Sequence, residues 1–584
     1  MVQTEGARSG LLYRSPRSRL YKLKAVTEHM NTILTRLSAD LIARYESEGF
    51  WRRDTLYALT RMYGERAPLS FAVRDRYRRI NYRQLIDATH ALAADLVRHK
   101  VSPGQRVGVW LPSRIEAVVA LLACSKIGAI ACPSLHRDHT INDVVALMQR
   151  TRAAAFIWQN GYGADADKRD LFQALGSVPS VRAIYQLAPL SETDGPPFES
   201  LLSATDDASP TKTDANAIVY LAFTSGTTGK PKGVMHSDNT VLANARQLAA
   251  DWNIDANSVI YSLSPISHNL GFVGAQIMAL AMGAELVLND LPRGASLVDR
   301  ILETDTSFLV GVPPNAIDLL TEMRQRGLHS LGRLKGFRIS GSAVPSEVVA
   351  GLLSQGIRPQ SGYGMTENCS HQYTLPDDEP RLIVETSGKA CPGYELKIFS
   401  ATDPDQEAAF GEVGQIGGRG ASLMLGYFDD QQATEDAFNK NGWFMTGDLG
   451  TIDSNGYLRI TGRSKDMIIR GGHNIHPAHI EELATRHPSV QRAAAVPIKD
   501  ARLGERVCLV VVFRQGQSEN PEALLLHLDR AGLSKFDMPE YFLAIAEIPL
   551  TPNGKMLKRE IIDRINDGTL EPKPIRFSPV NRIS

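Results

Sequence analysis

The sequence predicts an α/β protein of largely parallel sheets with covering helices, divided into a large N-terminal domain and a small C-terminal one. Three observations carry that expectation. From Ile80 onward short β-branched runs alternate with amphipathic stretches, as in the strand-like Ala217 to Phe223 and the apolar Val507 to Phe513, the pattern of strands joined by crossover helices. The length of 584 residues exceeds what one hydrophobic core ordinarily organises. Near residue 460 the basic, glycine-bearing stretch "GRSKDMIIRGGHNIHPAHIEE" separates two hydrophobic blocks, and the roughly 120 residues beyond it suit a small domain.

In chain order, residues 1–29 carry Arg8, Arg14, Arg17, Arg19, Lys22 and Lys24 against Glu5 and Glu28, without the apolar core of a secretory signal. They read as a basic, disordered tail or as a start assigned upstream of Met30. Residues 30–462 form the large domain and 463–584 the small one, with the boundary at Gly462 to Asp466. Between them, Val241, Leu242, Ala245, Leu248, Ala249 and Trp252 fall at helical spacing behind the caps Ser237, Asp238 and Asn239.

Charge and cysteine usage narrow the function classes. Lys plus Arg and Asp plus Glu both number 64, so no long-range field favours nucleic acid or an anionic membrane. The five cysteines, Cys124, Cys132, Cys369, Cys391 and Cys508, show no CxxC spacing, which disfavours a zinc site and suits a reducing, cytoplasmic compartment. No apolar run reaches the roughly 18 residues of a membrane span; the best, Ala117 to Cys124, is closed by Ser125 and Lys126. No transmembrane segment is expected.

The stretch "TSGTTGKPKG", Thr224 to Gly233, concentrates glycines, hydroxyls and lysines. Glycine lets backbone approach a ligand closely, and the amides and hydroxyls suit phosphate oxygens. It is not a Walker loop, because Lys230 is followed by Pro231. The sequence places it in a strand, a loop and then a helix.

This decapeptide resembles the phosphate-binding signature of the adenylate-forming superfamily, the AMP-dependent ligases and acyl-CoA synthetases. Four further motifs follow in the family's order: "YGMTE" at Tyr363 to Glu367, "GWFMTGDLG" at Gly442 to Gly450, "GRSKD" at Gly462 to Asp466 and "PLTPNGKMLKR" at Pro549 to Arg559. The resemblance covers residues 45 to 565 or so. It implies a large N-terminal domain of mixed sheets with covering helices, a small mobile C-terminal α+β domain acting as a lid, and ATP, Mg²⁺ and coenzyme A as cofactors. Thr224, Ser225, Gly226, Thr227, Thr228, Gly229 and Lys232 would cradle the β- and γ-phosphates. Thr366 would touch the α-phosphate, Glu367 would bind Mg²⁺, Tyr363 would stack on adenine, and Asp448 with Arg463 would take the ribose hydroxyls. Lys555 would be the catalytic lysine of acid activation, Lys465 the hinge, and Gly471 with Gly472 would face the pantetheine of CoA. His473 and His479 depart from the pattern, standing where glutamates are frequent.

By the same resemblance, "SPISHNLGFVG", Ser264 to Gly274, lines the acid. His268 would sit beside the substrate carboxylate, with Asn269, Phe272, Gly341, Gly362 and Met365 as further pocket residues. No Phe-Asp pair stands there for an amino acid's ammonium, and Leu270 to Gly274 are apolar or small, a lining suited to an apolar ring or chain. "GKACPGYELKIF" and "GGRGASLMLGYFDD" are most similar to cyclohexanecarboxylate-CoA ligases. The expected function is an acid-CoA ligase for an apolar carboxylic acid, cyclohexanecarboxylate-like or medium-chain, with a homodimer left open. The alternative is an aryl-acid AMP ligase loading a carrier protein, since His268-Asn269 and "ARYESEGFW" also resemble those enzymes. Cys369 reads as a packing residue rather than a nucleophile.

Overall fold

The structure, a computed structural model, describes residues 19–22, 33–199, 214–224, 231–292, 294–471, 473–518, 520–550 and 556–577. The chain forms two compact units: Met1–Val384 with Ala390–Glu395 and Gly420–Asp436, and Glu385–Lys389 with Leu396–Arg419 and Ala437–Ser584. Both carry the mixed α/β content expected.

The first unit is built on two sheets. One runs, in spatial order, Arg19–Lys22, Ala183–Leu187, Ala155–Gln159, Arg106–Trp110, Ile130–Cys132, Ile218–Thr224, Lys232–Ser237 and Gly426–Tyr427. Its central strands pair in parallel, and both faces are covered, so strands such as Arg106–Trp110 are buried at every residue. Helix Ile115–Ile127 packs in the same interior with all of its residues buried. It contains the most apolar run of the sequence, which is therefore a core helix; among the described residues no helix is long and apolar enough to cross a membrane.

The second sheet brings Cys369–Tyr373, Arg358–Met365, Gly336–Ser340, Phe308–Gly311, Val259–Ser262 and Glu285–Leu288 side by side. The strands from Gly336 and Arg358 run parallel, and the chain then reverses through a turn at Thr366 into Cys369–Tyr373. Motif "YGMTE" thus occupies a strand end and the turn after it.

Around the glycine-rich loop the structure departs from the strand, loop and helix expected. Strand Ile218–Thr224 pairs antiparallel with a second strand, Lys232–Ser237, and only then does helix Asp238–Asp251 begin. Gly233, Val234 and Met235 are buried between neighbours on the sheet, and that burial outweighs any helical preference there. The cap is Ser237, whose Oγ accepts from Thr240 N at 3.3 Å while Thr240 Oγ1 accepts from Ser237 N at 3.0 Å.

The second unit contains all but Tyr394, Glu395 and Gly420 of the sheet Tyr394–Phe399, Gly414–Gly420, Phe444–Ile452 and Leu458–Arg463, and a C-terminal sheet centred on Gly504–Phe513. The apolar run in that last strand is explained by burial on both faces. Val507, Leu509 and Val511 enter one core with Ile480 and Leu524, while Cys508, Val510 and Val512 enter another with Ile548 and Ile561. At about 1.5–3 kcal/mol for each large aliphatic side chain buried, this strand is a main anchor of the unit.

Candidate active site

The glycine-rich hairpin places Thr224 directly opposite Lys232; Ser225, Gly226, Thr227, Thr228 and Gly229 lie outside the described residues. The Lys232 ammonium stands 4.5 Å from the centre of the Tyr427 ring, a cation–π distance. From the other end of that ring, Tyr427 Oη donates to Glu367 Oε1 at 2.9 Å. Burial and the neighbouring carboxylate raise the phenol's pKa, so it stays protonated and donating. One tyrosine therefore joins the hairpin lysine to the acidic turn.

The turn itself is held from several sides. His236 Nε2 lies 2.7 Å from the Thr366 carbonyl and its Nδ1 lies 3.0 Å from Thr240 Oγ1; a neutral ring donating at Nε2 and accepting at Nδ1 satisfies both. Burial holds the His236 pKa down at about 4, consistent with that neutral form. Asn368 Oδ1 accepts from Met365 N at 3.0 Å, and Met424 N donates to the Glu367 carbonyl at 2.7 Å. A methyl group on Gly364 would lie 1.9 Å from the Cys369 carbonyl oxygen, which is why the motif reads Tyr-Gly-Met. The backbone is fixed while Gly362 to Glu367 keep partial solvent exposure within a buried neighbourhood. Tyr363 meets His371 edge to face at 5.5 Å. Cys369 is fully buried, and burial raises its thiol pKa, so packing is its role here.

Segment Ser264–Gly274 approaches the same turn. Asn269 Nδ2 donates to the Met365 carbonyl at 3.4 Å, and Phe272 stacks on Tyr220 with ring centres 3.9 Å apart, Tyr220 lying in turn against His236 at 6.1 Å. Gly271 is required sterically, since a Cβ would come within 2.4 Å of the Pro265 carbonyl oxygen. Phe272–Ile277 is a stretch of π-helix, a form that recurs at functional sites. His268 accepts from Leu270 N at 3.4 Å and its ring lies 6.4 Å from His136. Of the remaining pocket candidates, Gly362 accepts from Ser340 Oγ at 2.8 Å through its carbonyl, whereas Gly341 is exposed with φ of +101°.

In the second unit, Asp448 and Arg463 face each other across antiparallel strands, with Arg463 Nε 3.2 Å from Asp448 Oδ1. The Asp448 side chain is 8% exposed, and its amide donates to Thr446 Oγ1 at 3.1 Å. A single 3-10 turn, Ser464–Asp466, carries the exposed Lys465 between strands Leu458–Arg463 and Ile468–Arg470. Gly471 has φ of +59° and donates to the Leu503 carbonyl at 2.7 Å; Gly472 and Lys555 lie outside the described residues. Leu550 and Met556 pair as an antiparallel bridge on either side of residues 551–555. His473 pairs with Asp537 at 2.7 Å.

Two residues of these networks, Tyr427 and His236, are absent from the sequence-based set. Tyr427 and His236 both lie within or beside quoted motifs, but their partners are remote in the chain, 60 residues for Tyr427 with Glu367 and 130 for His236 with Thr366. Only folding discloses such pairings.

Comparison with known proteins agrees with this arrangement. The profile of the AMP-binding enzyme family matches residues 61–428, and that of the AMP-binding enzyme C-terminal domain matches residues 479–555. The medium-chain fatty-acid–CoA ligase of Escherichia coli is 28% identical over 537 residues, covering 91% of this chain and 94% of that protein. A methyl-dioxo-octahydroindenyl-propanoyl:CoA ligase of Rhodococcus jostii is 30% identical over 508 residues, covering 83% and 94%. The structure of ATP-bound MatB from Rhodopseudomonas palustris matches with a TM-score of 0.77 at 25% identity, covering 88% of this chain and 99% of that one. The chain belongs to the AMP-binding enzyme family.

Proposed function

We propose that this chain is an AMP-forming acid–CoA ligase acting on a carboxylic acid with an apolar body, medium-chain or carbocyclic. In the first half-reaction the acid's carboxylate oxygen attacks the α-phosphorus of ATP, the α–β anhydride bond breaks, and pyrophosphate leaves an acyl-AMP. In the second, the CoA thiol gives up its proton and attacks the acyl carbon; the bond to the AMP oxygen breaks and AMP leaves. Family membership supports the adenylate step, and the CoA ligases among the relatives support the thiol acceptor.

The observation that carries this reading is the fixed turn at Thr366–Glu367, tied through Tyr427 to Lys232 beside the glycine-rich loop. Joining two anions requires preorganised positive charge and donors. Thr224, the loop residues Ser225 to Gly229 and Lys232 would take the β- and γ-phosphates, and Thr366 the α-phosphate. Glu367 offers a hard oxygen ligand, fitting Mg²⁺, which takes one or two carboxylates and fills its shell with phosphate oxygens and water. Bound there, the ion would supply neutralisation of phosphate charge. Tyr363 would stack on adenine, and Asp448 would accept from the ribose diol with Arg463 assisting. Lys555 would stabilise charge during acid activation. In this reading residues 463–584 move about Lys465 between the half-reactions, which need different groups near one adenylate, and Gly471 with Gly472 then face pantetheine.

The acid lies, in this account, along Ser264–Gly274, with His268 beside its carboxylate and Asn269, Phe272, Gly341, Gly362 and Met365 around its body. Pyrophosphate release from ATP with cyclohexanecarboxylate, octanoate, benzoate and salicylate, each with and without CoA, tests the reading. Sustained release that requires CoA and favours the first two acids supports it. Release confined to salicylate and indifferent to CoA contradicts it.

A further inference from the structure

Arg338 has no part in the chemistry above, and its surroundings ask for a ligand. It lies on strand Gly336–Ser340 and is 0% exposed. Nη1 donates to Gln360 Oε1 at 2.5 Å on the adjacent strand, and the guanidinium carbon stands 5.2 Å from the centre of the Tyr373 ring. Nε and Nη2 have no hydrogen-bond acceptor among the described residues. The titratable groups that bear on its charge are Tyr373, Cys391 and the buried His371, none of them a carboxylate.

The position is as telling as the missing partners. A Cβ on Gly362 would come 2.8 Å from Arg338 Nη2, and one on Gly274 would come 3.9 Å from Arg338 Cδ. The side chain thus runs between the π-helical stretch Phe272–Ile277 and the strand end at Gly362, two of the walls assigned to the acid. Glycine at 362 leaves the guanidinium room; any side chain there would collide with it. Nε and Nη2 together form one edge of the guanidinium, the edge that presents two parallel N–H groups to the two oxygens of a carboxylate. Burial lowers the Arg338 pKa to about 10, so it remains a cation at neutral pH. A buried cation without a counter-ion is costly, and the cost is relieved when an anion with matching geometry binds.

We propose that Arg338 is a specificity residue which receives a second carboxylate at the far end of the acid, so that the substrate class is a dicarboxylic acid with an apolar spine, activated at one carboxyl group. This rests on the acid–CoA ligase reading and refines its substrate. The apolar lining of Leu270 to Gly274 accommodates the spine, and the remote guanidinium distinguishes the dicarboxylate from the plain acid of equal length. Polar recognition of this kind discriminates more strongly than an apolar pocket does, because the monocarboxylate leaves the buried donors unpaired.

The test compares matched acids on the full chain by pyrophosphate release in the presence of CoA: adipate against hexanoate, and trans-cyclohexane-1,4-dicarboxylate against cyclohexanecarboxylate. The expected result is kcat/KM at least about 10-fold higher for the dicarboxylate of one pair, with that preference inverted by Arg338→Met and partly kept by Arg338→Lys. The wild-type ratio needs no variant, so a misfolded Arg338→Met does not remove the test. Wild-type preference for the monocarboxylate in both pairs overturns the inference while leaving the ligase reading intact. Absence of turnover with all four acids while octanoate is turned over with CoA overturns the inference alone; absence with octanoate as well overturns both.

Discussion

Tyr427 donates a hydrogen bond of 2.9 Å to Glu367 across 60 residues of chain, and the Lys232 ammonium sits over the same ring at 4.5 Å. The phenol orients the carboxylate proposed to bind Mg²⁺. A hydrogen bond to a charged group contributes about 1.5–3 kcal/mol. Tyr427→Phe is therefore expected to raise the Mg²⁺ concentration needed for half-maximal pyrophosphate release and to lower the rate by roughly tenfold. Glu367→Gln, which removes the charge, is expected to cost about 10²–10³ in rate. Titration of pyrophosphate release with Mg²⁺ checks both; an unchanged Mg²⁺ dependence in Tyr427→Phe contradicts the assigned role.

His236 makes stability depend on pH. Its folded-state pKa is held at about 4, below the ordinary 6.5, by burial. The unfolded chain then binds more protons than the folded one between these values, so the stability that His236 contributes is complete above pH 6.5 and is lost as pH falls toward 4. At about 1.4 kcal/mol per pH unit the loss attributable to this ring reaches roughly 3 kcal/mol. His236→Asn keeps a donor for the Thr366 carbonyl and removes the titration. Urea unfolding at pH 7 and pH 4.5 is expected to show a smaller pH effect in the variant than in the wild type.

Gly364 is a steric requirement rather than a conformational one. Because an added methyl would lie 1.9 Å from the Cys369 carbonyl oxygen, Gly364→Ala must displace the turn. Overpacking of this kind costs about 1–3 kcal/mol, and adenylate formation is expected to fall more than stability does. Thermal unfolding measured beside pyrophosphate release separates the two.

Asp448 and Arg463 form a pair at the end of two antiparallel strands, with the carboxylate nearly buried and the guanidinium exposed. If the carboxylate takes the ribose diol, the wild type distinguishes ATP from 2′,3′-dideoxy-ATP and Asp448→Asn loses most of that distinction. A ratio of kcat/KM for the two nucleotides that stays constant in the variant contradicts the assignment.

Lys555 is expected to act in one half-reaction only. Lys555→Ala should slow acyl-AMP formation by about 10²–10³, while thiolysis of chemically prepared acyl-AMP by CoA proceeds near the wild-type rate. Equal loss in both halves contradicts the role.

Local pattern disclosed the fold class, because short apolar runs such as Ala217 to Phe223 and Val507 to Phe513, alternating along the chain with amphipathic stretches, are a direct consequence of strands buried on both faces. The glycines and hydroxyls of "TSGTTGKPKG" were legible for a similar reason, since their chemistry is carried by contiguous residues. The second strand at Lys232–Ser237 was not, as a run of six residues, five of them buried, is too short and shows no period that separates strand from helix. Tyr427, His236 and Arg338 were hidden for another reason: each acts through a partner or a wall that only tertiary packing supplies. Arg338 looks in the sequence like any strand residue, and its significance comes from Gly362 and Gly274 closing around it.

The central claim, that the acid passes through an acyl-AMP, is tested most directly with substrate labelled by ¹⁸O in its carboxyl group. Attack of the carboxylate on the α-phosphorus leaves one labelled oxygen on AMP after CoA takes the acyl group. Mass spectrometry of the nucleotide is expected to show one ¹⁸O in AMP for each acyl-CoA formed. Unlabelled AMP, or ADP with label in orthophosphate, would contradict the account.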